Sequence, residues 1–174
     1  MVKKILPIVV VIVVIGAVGY YLLGGGESIQ FEIREYPDLH VTGKEFLGKY
    51  NDGAVKDLFF EAKQISESRE GCDVTVIHYE TPELQDSVRQ FIGVSSPDSS
   101  FVSGKAFNEV RSFEKPTMLK AVITAHNFVM PRPEEVKSKA SEYAKEKGYE
   151  LEGYSIEVYK GTRDLEILFP LKKL

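Results

Sequence analysis

A strand-helix-strand-strand pattern that occurs twice, about 80 residues apart, constrains this chain more than any other feature. In the first occurrence, residues 30–46 (QFEIREYPDLHVTGKEF) alternate apolar and polar side chains around a Tyr-Pro break, which predicts two short strands or one bent strand. From Asp52 the period becomes helical. Val55, Leu58, Phe59, Ala62 and Ile65 form one stripe, with Lys56, Asp57, Lys63 and Glu67 largely outside it and Gly71 just beyond. Cys72 to Pro82 (CDVTVIHYETP) and Ser87 to Ser96 (SVRQFIGVSS) then predict an antiparallel hairpin. After a turn-rich separator, Pro97 to Ala106, the order returns. VRSFEKPTMLKAVITAH is strand-like. PRPEEVKSKASEYAKEKG carries a stripe of Val136, Ala140, Tyr143 and Ala144 between two early prolines and Gly148, and GYSIEVYKG with LEILFPLKK predicts a second hairpin.

Two such copies predict an α+β domain with a pseudo-twofold repeat of strand-helix-strand-strand, one antiparallel sheet with two helices on one face, and a groove between the helices. Laid over each other, Val76-Ile77-His78-Tyr79 falls on Ile156-Glu157-Val158-Tyr159, and Phe91 on Phe169. Within GYSIEVYKG, strand alternation puts Ser155, Glu157 and Tyr159 on one face, and Tyr154, Ile156, Val158 and Lys160 on the other. The overlay sets Ile77 opposite Glu157, so the carboxylate breaks the symmetry, and it aims Tyr79 and Tyr159 into the same groove. Glu157, Tyr159, Tyr79 and Ile77 are the candidate ligand-binding residues. Plain structural roles stand beside that: Glu157 bonded to a lysine or a backbone amide, the tyrosines packing against the helices, and Tyr143 in the core.

The N-terminus has another composition. After MVKK, residues 5–23 (ILPIVVVIVVIGAVGYYLL) carry no charge, and at ~1.5 Å per residue they match the ~30 Å hydrocarbon layer of a bilayer. Residues 1–23 are expected to be a transmembrane anchor, 24–28 a linker and 29–174 the folded domain; a cleaved secretory signal with Ala17-Val18-Gly19 at its cleavage site is the alternative. Lys3 and Lys4 precede the segment, while Glu27, Glu32 and Glu35 outnumber Arg34 just after it, which predicts a single-pass protein with its N-terminus cytoplasmic and its domain extracytoplasmic.

Without Lys3 and Lys4, 20 basic residues face 26 acidic ones, a net charge of about −6 that opposes binding to nucleic acid. The single cysteine, Cys72, allows neither an intrachain disulfide nor a multi-cysteine zinc site. His40, His78 and His126 fall on different elements without ligand spacing, so no metal or cofactor is expected; His78, opposite in parity to Tyr79, is expected on the outer or solvent-facing side. No nucleophile-base pair or phosphate loop is present, and an enzyme is not the leading expectation.

Several motifs resemble the GyrI-like small-molecule-binding domain, also found in multidrug-sensing transcription activators and in SOUL-type haem proteins. Gly48-Lys49-Tyr50 is similar to the family's Gly-x-Tyr before its first helix, and Val76-Ile77-His78-Tyr79 with Pro82 to its tyrosine-then-proline strand end. Lys147-Gly148-Tyr149, Glu157-Val158-Tyr159 and Phe169-Pro170-Leu171 resemble its second half, so the likeness runs over residues 29–173; His126-Asn127-Phe128 departs from the family's His-x-Gly. The resemblance implies a pocket whose Glu157 pairs with a hydrophobic or cationic small molecule, and hence a membrane-anchored binding or sensing domain. It also implies, as the catalytic alternative, a small-molecule hydrolase with Glu157 as general base and Tyr159 as orienting hydroxyl. An N-terminal span before such a domain is also similar in layout to the testis-expressed family of endoplasmic-reticulum autophagy receptors, which implies a membrane adaptor with a protein partner as the other reading.

Overall fold

The computed structural model describes residues 13–20, 29–49, 51–83, 86–96, 107–123, 131–161 and 164–174. Of the expected span, residues 5–12 and 21–23 lie outside the described residues, as does the 24–28 linker. Its described part, residues 13–20, is helical and forms α1. Among the described residues no helix is long and apolar enough to cross a membrane. The single-pass placement, with a cytoplasmic N-terminus and an extracytoplasmic domain, is corrected on that ground.

The two amphipathic helices form where their periodicity puts them. α2 (Gly53–Ser68) begins at Asp52, whose Oδ1 accepts from the Ala54 amide at 3.0 Å, and it buries Ala62. α3 (Pro133–Glu146) has proline and two glutamates in its first turn, buries Val136, Ala140 and Ala144, and gives way to Gly148 at φ 81°, a left-handed conformation that suits glycine.

The strands are β1 (Gln30–Glu35), β2 (Leu39–Gly48), β3 (Asp73–Tyr79), β4 (Val88–Ser96), β5 (Glu109–Phe113), β6 (Thr117–Ile123), β7 (Tyr149–Leu151), β8 (Tyr154–Lys160) and β9 (Asp164–Lys173). They pair antiparallel in the order β1-β6-β9-β8-β3-β4-β2-β5, with β7 on β9. The order is unchanged when β1 swaps with β5, β2 with β6, β3 with β8 and β4 with β9. That is the expected pseudo-twofold, with its axis between β3 and β8. The first half has one more strand than the repeat predicted and the second, with the short β7, has two; in each half the first strand pairs with the opposite half, β1 with β6 and β5 with β2.

This exchange forces the sheet to curl. In a flat sheet β1 and β2 would lie six strand spacings apart, roughly 29 Å. Only Tyr36, Pro37 and Asp38 join them, and the four Cα steps from Glu35 to Leu39 span at most about 15 Å. The equivalent β5–β6 connection meets this one: Tyr36 N donates to Pro116 O at 2.9 Å, and Lys115 N to Asp38 Oδ1 at 3.0 Å. Gly43 and Gly93, paired directly between β2 and β4, let the two backbones approach closely; a Cβ on Gly93 would lie 2.1 Å from Thr42 O, and one on Gly43 2.3 Å from Ile92 O.

Curling gives the sheet two buried faces. Inside the curl, Val41, Ile77, Phe91, Met118, Ile156 and Leu168 form one core, and Phe113 stacks on Tyr154 across it at 5.9 Å. On the other face α3 covers Leu119, Ala121, Ile167 and Phe169, and α2 covers Val74, Val94 and Phe107. The two helices thus share one face, as expected.

Candidate functional site

A pocket of about 670 Å³ lies between α2, α3 and the sheet, a volume suited to a small molecule. Val76 and His78 of β3, Gln90 and Ile92 of β4, Ser155, Glu157 and Tyr159 of β8, and Phe169 of β9 form its floor. Val55 and Phe59 of α2 and Pro133, Glu134 and Lys137 of α3 form its sides. Among the described residues the groove is therefore open.

The floor follows from strand register. Val76 pairs with Glu157 and His78 with Ser155, so His78 and Glu157 are diagonal neighbours on the helix side. Glu157 Oε2 accepts from the Tyr159 hydroxyl at 2.7 Å and lies 3.2 Å from His78 Nε2, with 16% of its side chain exposed. The imidazole is close but not aimed for a linear hydrogen bond, so Nε2 is buried without an aligned partner. On the far side of the ring, Gln90 Nε2 is 2.9 Å from His78 Nδ1. With the amide nitrogen as donor, Nδ1 accepts and the ring proton sits on Nε2, facing the carboxylate.

Burial pushes the Glu157 carboxyl upward, but its contacts with His78 and the Tyr159 hydroxyl together outweigh burial and hold it below the usual carboxylate range. An anionic oxygen pair therefore persists in a mostly apolar recess. Tyr159 is itself fixed edge-on against Phe59 of α2, with ring centroids 5.3 Å apart and planes at 85°. At the rim, Lys137 pairs with Glu80 at 2.8 Å.

Of the four residues proposed from sequence, Glu157 and Tyr159 line the pocket, and Ile77 and Tyr79 do not. Ile77 is fully buried inside the curl, and Tyr79 packs there against Tyr154 at 6.1 Å. An axis normal to the sheet keeps every side chain on its own face. Ile77 therefore cannot be the counterpart of Glu157, whose cross-strand neighbour is Val76. His78 is corrected in the same way: it faces the helices and the pocket. Val74 and Val76 on the same strand face are buried against the helix side, but Thr75 and Ile77 on the other face are buried too, so no local signal could have placed it there. Gln90 and Phe59 were also missed as pocket residues. Tyr143 stacks on Phe31 at 5.6 Å in the α3 core, away from the pocket. His126, Asn127, Phe128, Met130 and the 97–106 segment lie outside the described residues. Among the described residues no cluster of His, Cys, Asp or Glu is placed to hold a metal ion.

No family model matches the chain, and no curated protein matches it. Solved structures do. The C-terminal domain of EcmrR superposes with a TM-score of 0.61 at 13% identity, over 85% of this chain and 100% of that one. The fold is GyrI-like. An EcmrR–DNA complex matches with a TM-score of 0.59 at 14% identity, over 92% of this chain and 65% of that one. A hydrolase from Listeria innocua matches with a TM-score of 0.56 at 11% identity, over 82% of this chain and 92% of that one. Since a chain containing this fold is solved in complex with DNA, the exclusion of nucleic acid from net charge is not borne out.

Proposed function

We propose that this GyrI-like domain binds an apolar, cationic small molecule in the pocket between α2, α3 and the sheet. The observation that carries the reading is the Glu157 carboxylate, held anionic on the floor of a recess whose other surfaces are largely aliphatic and aromatic. A buried carboxylate is costly without a counter-charge, so a cation with an apolar body relieves that cost while its body covers Val76, Ile92 and Phe169. The Phe59 and Tyr159 rings add attraction for a cation placed over them. A protein partner would fit better on a filled groove beside an exposed apolar patch; among the described residues the groove is open, which favours a small molecule instead.

Titrating tetraphenylphosphonium into wild type and Glu157→Gln tests the role of the carboxylate. Losing a charge-assisted contact costs about 1–3 kcal/mol, so the variant should bind roughly 5- to 150-fold more weakly. Equal affinities would remove Glu157 from the site.

A further inference from the structure

The pocket holds an ionisable group that cation recognition by a carboxylate does not require. His78 Nε2 lies buried 3.2 Å from Glu157 Oε2 without an aligned hydrogen bond, and the far side of its ring is held by Gln90, a residue only 4% exposed. Among the described residues the other titratable or charged groups around the pocket are Glu157 and Tyr159 on β8 and Glu134 and Lys137 on α3; α2 and β9 contribute apolar Val55, Phe59, Ile167 and Phe169. Lys137 is already matched by Glu80 at 2.8 Å.

We infer that a bound cation and a proton on His78 compete for the Glu157 carboxylate, so that the pocket loads at higher pH and empties as His78 becomes charged. This rests on the cation-binding reading above and adds the regulation of that site. Neutral His78 leaves the carboxylate charge to the ligand. Charged His78, at ion-pair distance, neutralises that carboxylate and sets a like charge against an incoming cation. Gln90 serves both states, since turning its amide over presents Oε1 to a protonated Nδ1. Imidazole ordinarily gains its charge between about pH 8 and about pH 5. Glu157 is held below the usual carboxylate range by its contacts with His78 and the Tyr159 hydroxyl. Coupling of this kind is reciprocal, so each cation bound near the middle of the interval displaces a fraction of a proton.

Tetraphenylphosphonium has no proton to lose, which makes it a suitable calorimetric probe. Between about pH 8 and about pH 5 its affinity for the wild-type domain should fall about tenfold or more. Near pH 6, buffers of different ionisation heat should report proton release on binding, and His78→Gln should abolish that release. A flat pH profile without proton release in the wild type overturns the competition and leaves cation binding standing. No binding at any pH overturns both. If His78→Gln does not fold, the wild-type imidazole can be followed by NMR: saturation with the cation should move the His78 titration to lower pH, and an unmoved titration overturns the competition.

Discussion

Replacing Gly93 with alanine tests the close approach of β2 and β4. The added Cβ would stand 2.1 Å from Thr42 O, 2.6 Å from Gly43 Cα and 2.7 Å from Thr42 C, all backbone atoms of the paired strand. No side chain can rotate away, so the backbones of β2 and β4 must separate. Overpacking that is relieved only by backbone movement lies at the upper end of a ~1–3 kcal/mol range, and we expect about 3 kcal/mol. For a chain of 174 residues this lowers the thermal midpoint by roughly 6–12 °C. Gly153 is the internal control, because nothing lies within 4 Å of a Cβ there and its φ is not positive. Gly153→Ala should be neutral or stabilise by up to about 1 kcal/mol through the unfolded chain. Gly43→Ala should cost nearly as much as Gly93→Ala, and the double variant should cost less than the sum, since one separation of the strands relieves both clashes. Urea unfolding of wild type and the four variants measures each difference. A Gly93→Ala domain within about 0.5 kcal/mol of wild type would refute the role given to this glycine pair.

Two further outcomes follow from the same geometry. Phe59→Ala removes the ring that braces Tyr159 and should cost about 2 kcal/mol, below the range for a fully buried phenylalanine, while also weakening tetraphenylphosphonium; unchanged affinity would show that the brace is dispensable. Burial inside the curl pushes the Tyr154 hydroxyl up to about 12 from its ordinary 10.0, so its contribution to stability is complete below pH 10 and is lost as pH rises from about 10 to about 12. Tyr154→Phe should flatten that part of the alkaline unfolding profile, and an unaltered slope would assign it to other groups.

Both amphipathic helices, both hairpins and the face shared by Ser155, Glu157 and Tyr159 were legible because they rest on local periodicity. The side of the sheet to which each strand face turns was not. β3 is buried on both faces, with Val74 and Val76 under the helices and Thr75 and Ile77 inside the curl, so alternation carries no information about which face meets the pocket. Only the long-range register Val76↔Glu157 decides it, and an overlay offset of 80 residues puts Ile77 and Tyr79 on the wrong side. The exchange of β1 and β5 between halves was hidden for a related reason. Pairing partners roughly 65 to 90 residues apart leave no local trace, and the three-residue β1–β2 connection makes sense only once the sheet is known to curl. The apolar N-terminal run has a composition suited to a bilayer, but composition alone does not give a helix of spanning length among the described residues.

The most direct test of the central claim uses two ions of the same shape and opposite charge, tetraphenylphosphonium and tetraphenylborate, titrated into the wild-type domain near pH 8. Both offer four phenyl rings to the walls, so any difference between them reads the charge of the pocket floor. An anionic Glu157 in an apolar recess predicts saturable binding of the cation at one site and affinity for the borate weaker by about 100-fold or more, a difference of at least about 2.7 kcal/mol. Equal binding of the two ions, or a preference for the borate, would contradict the account.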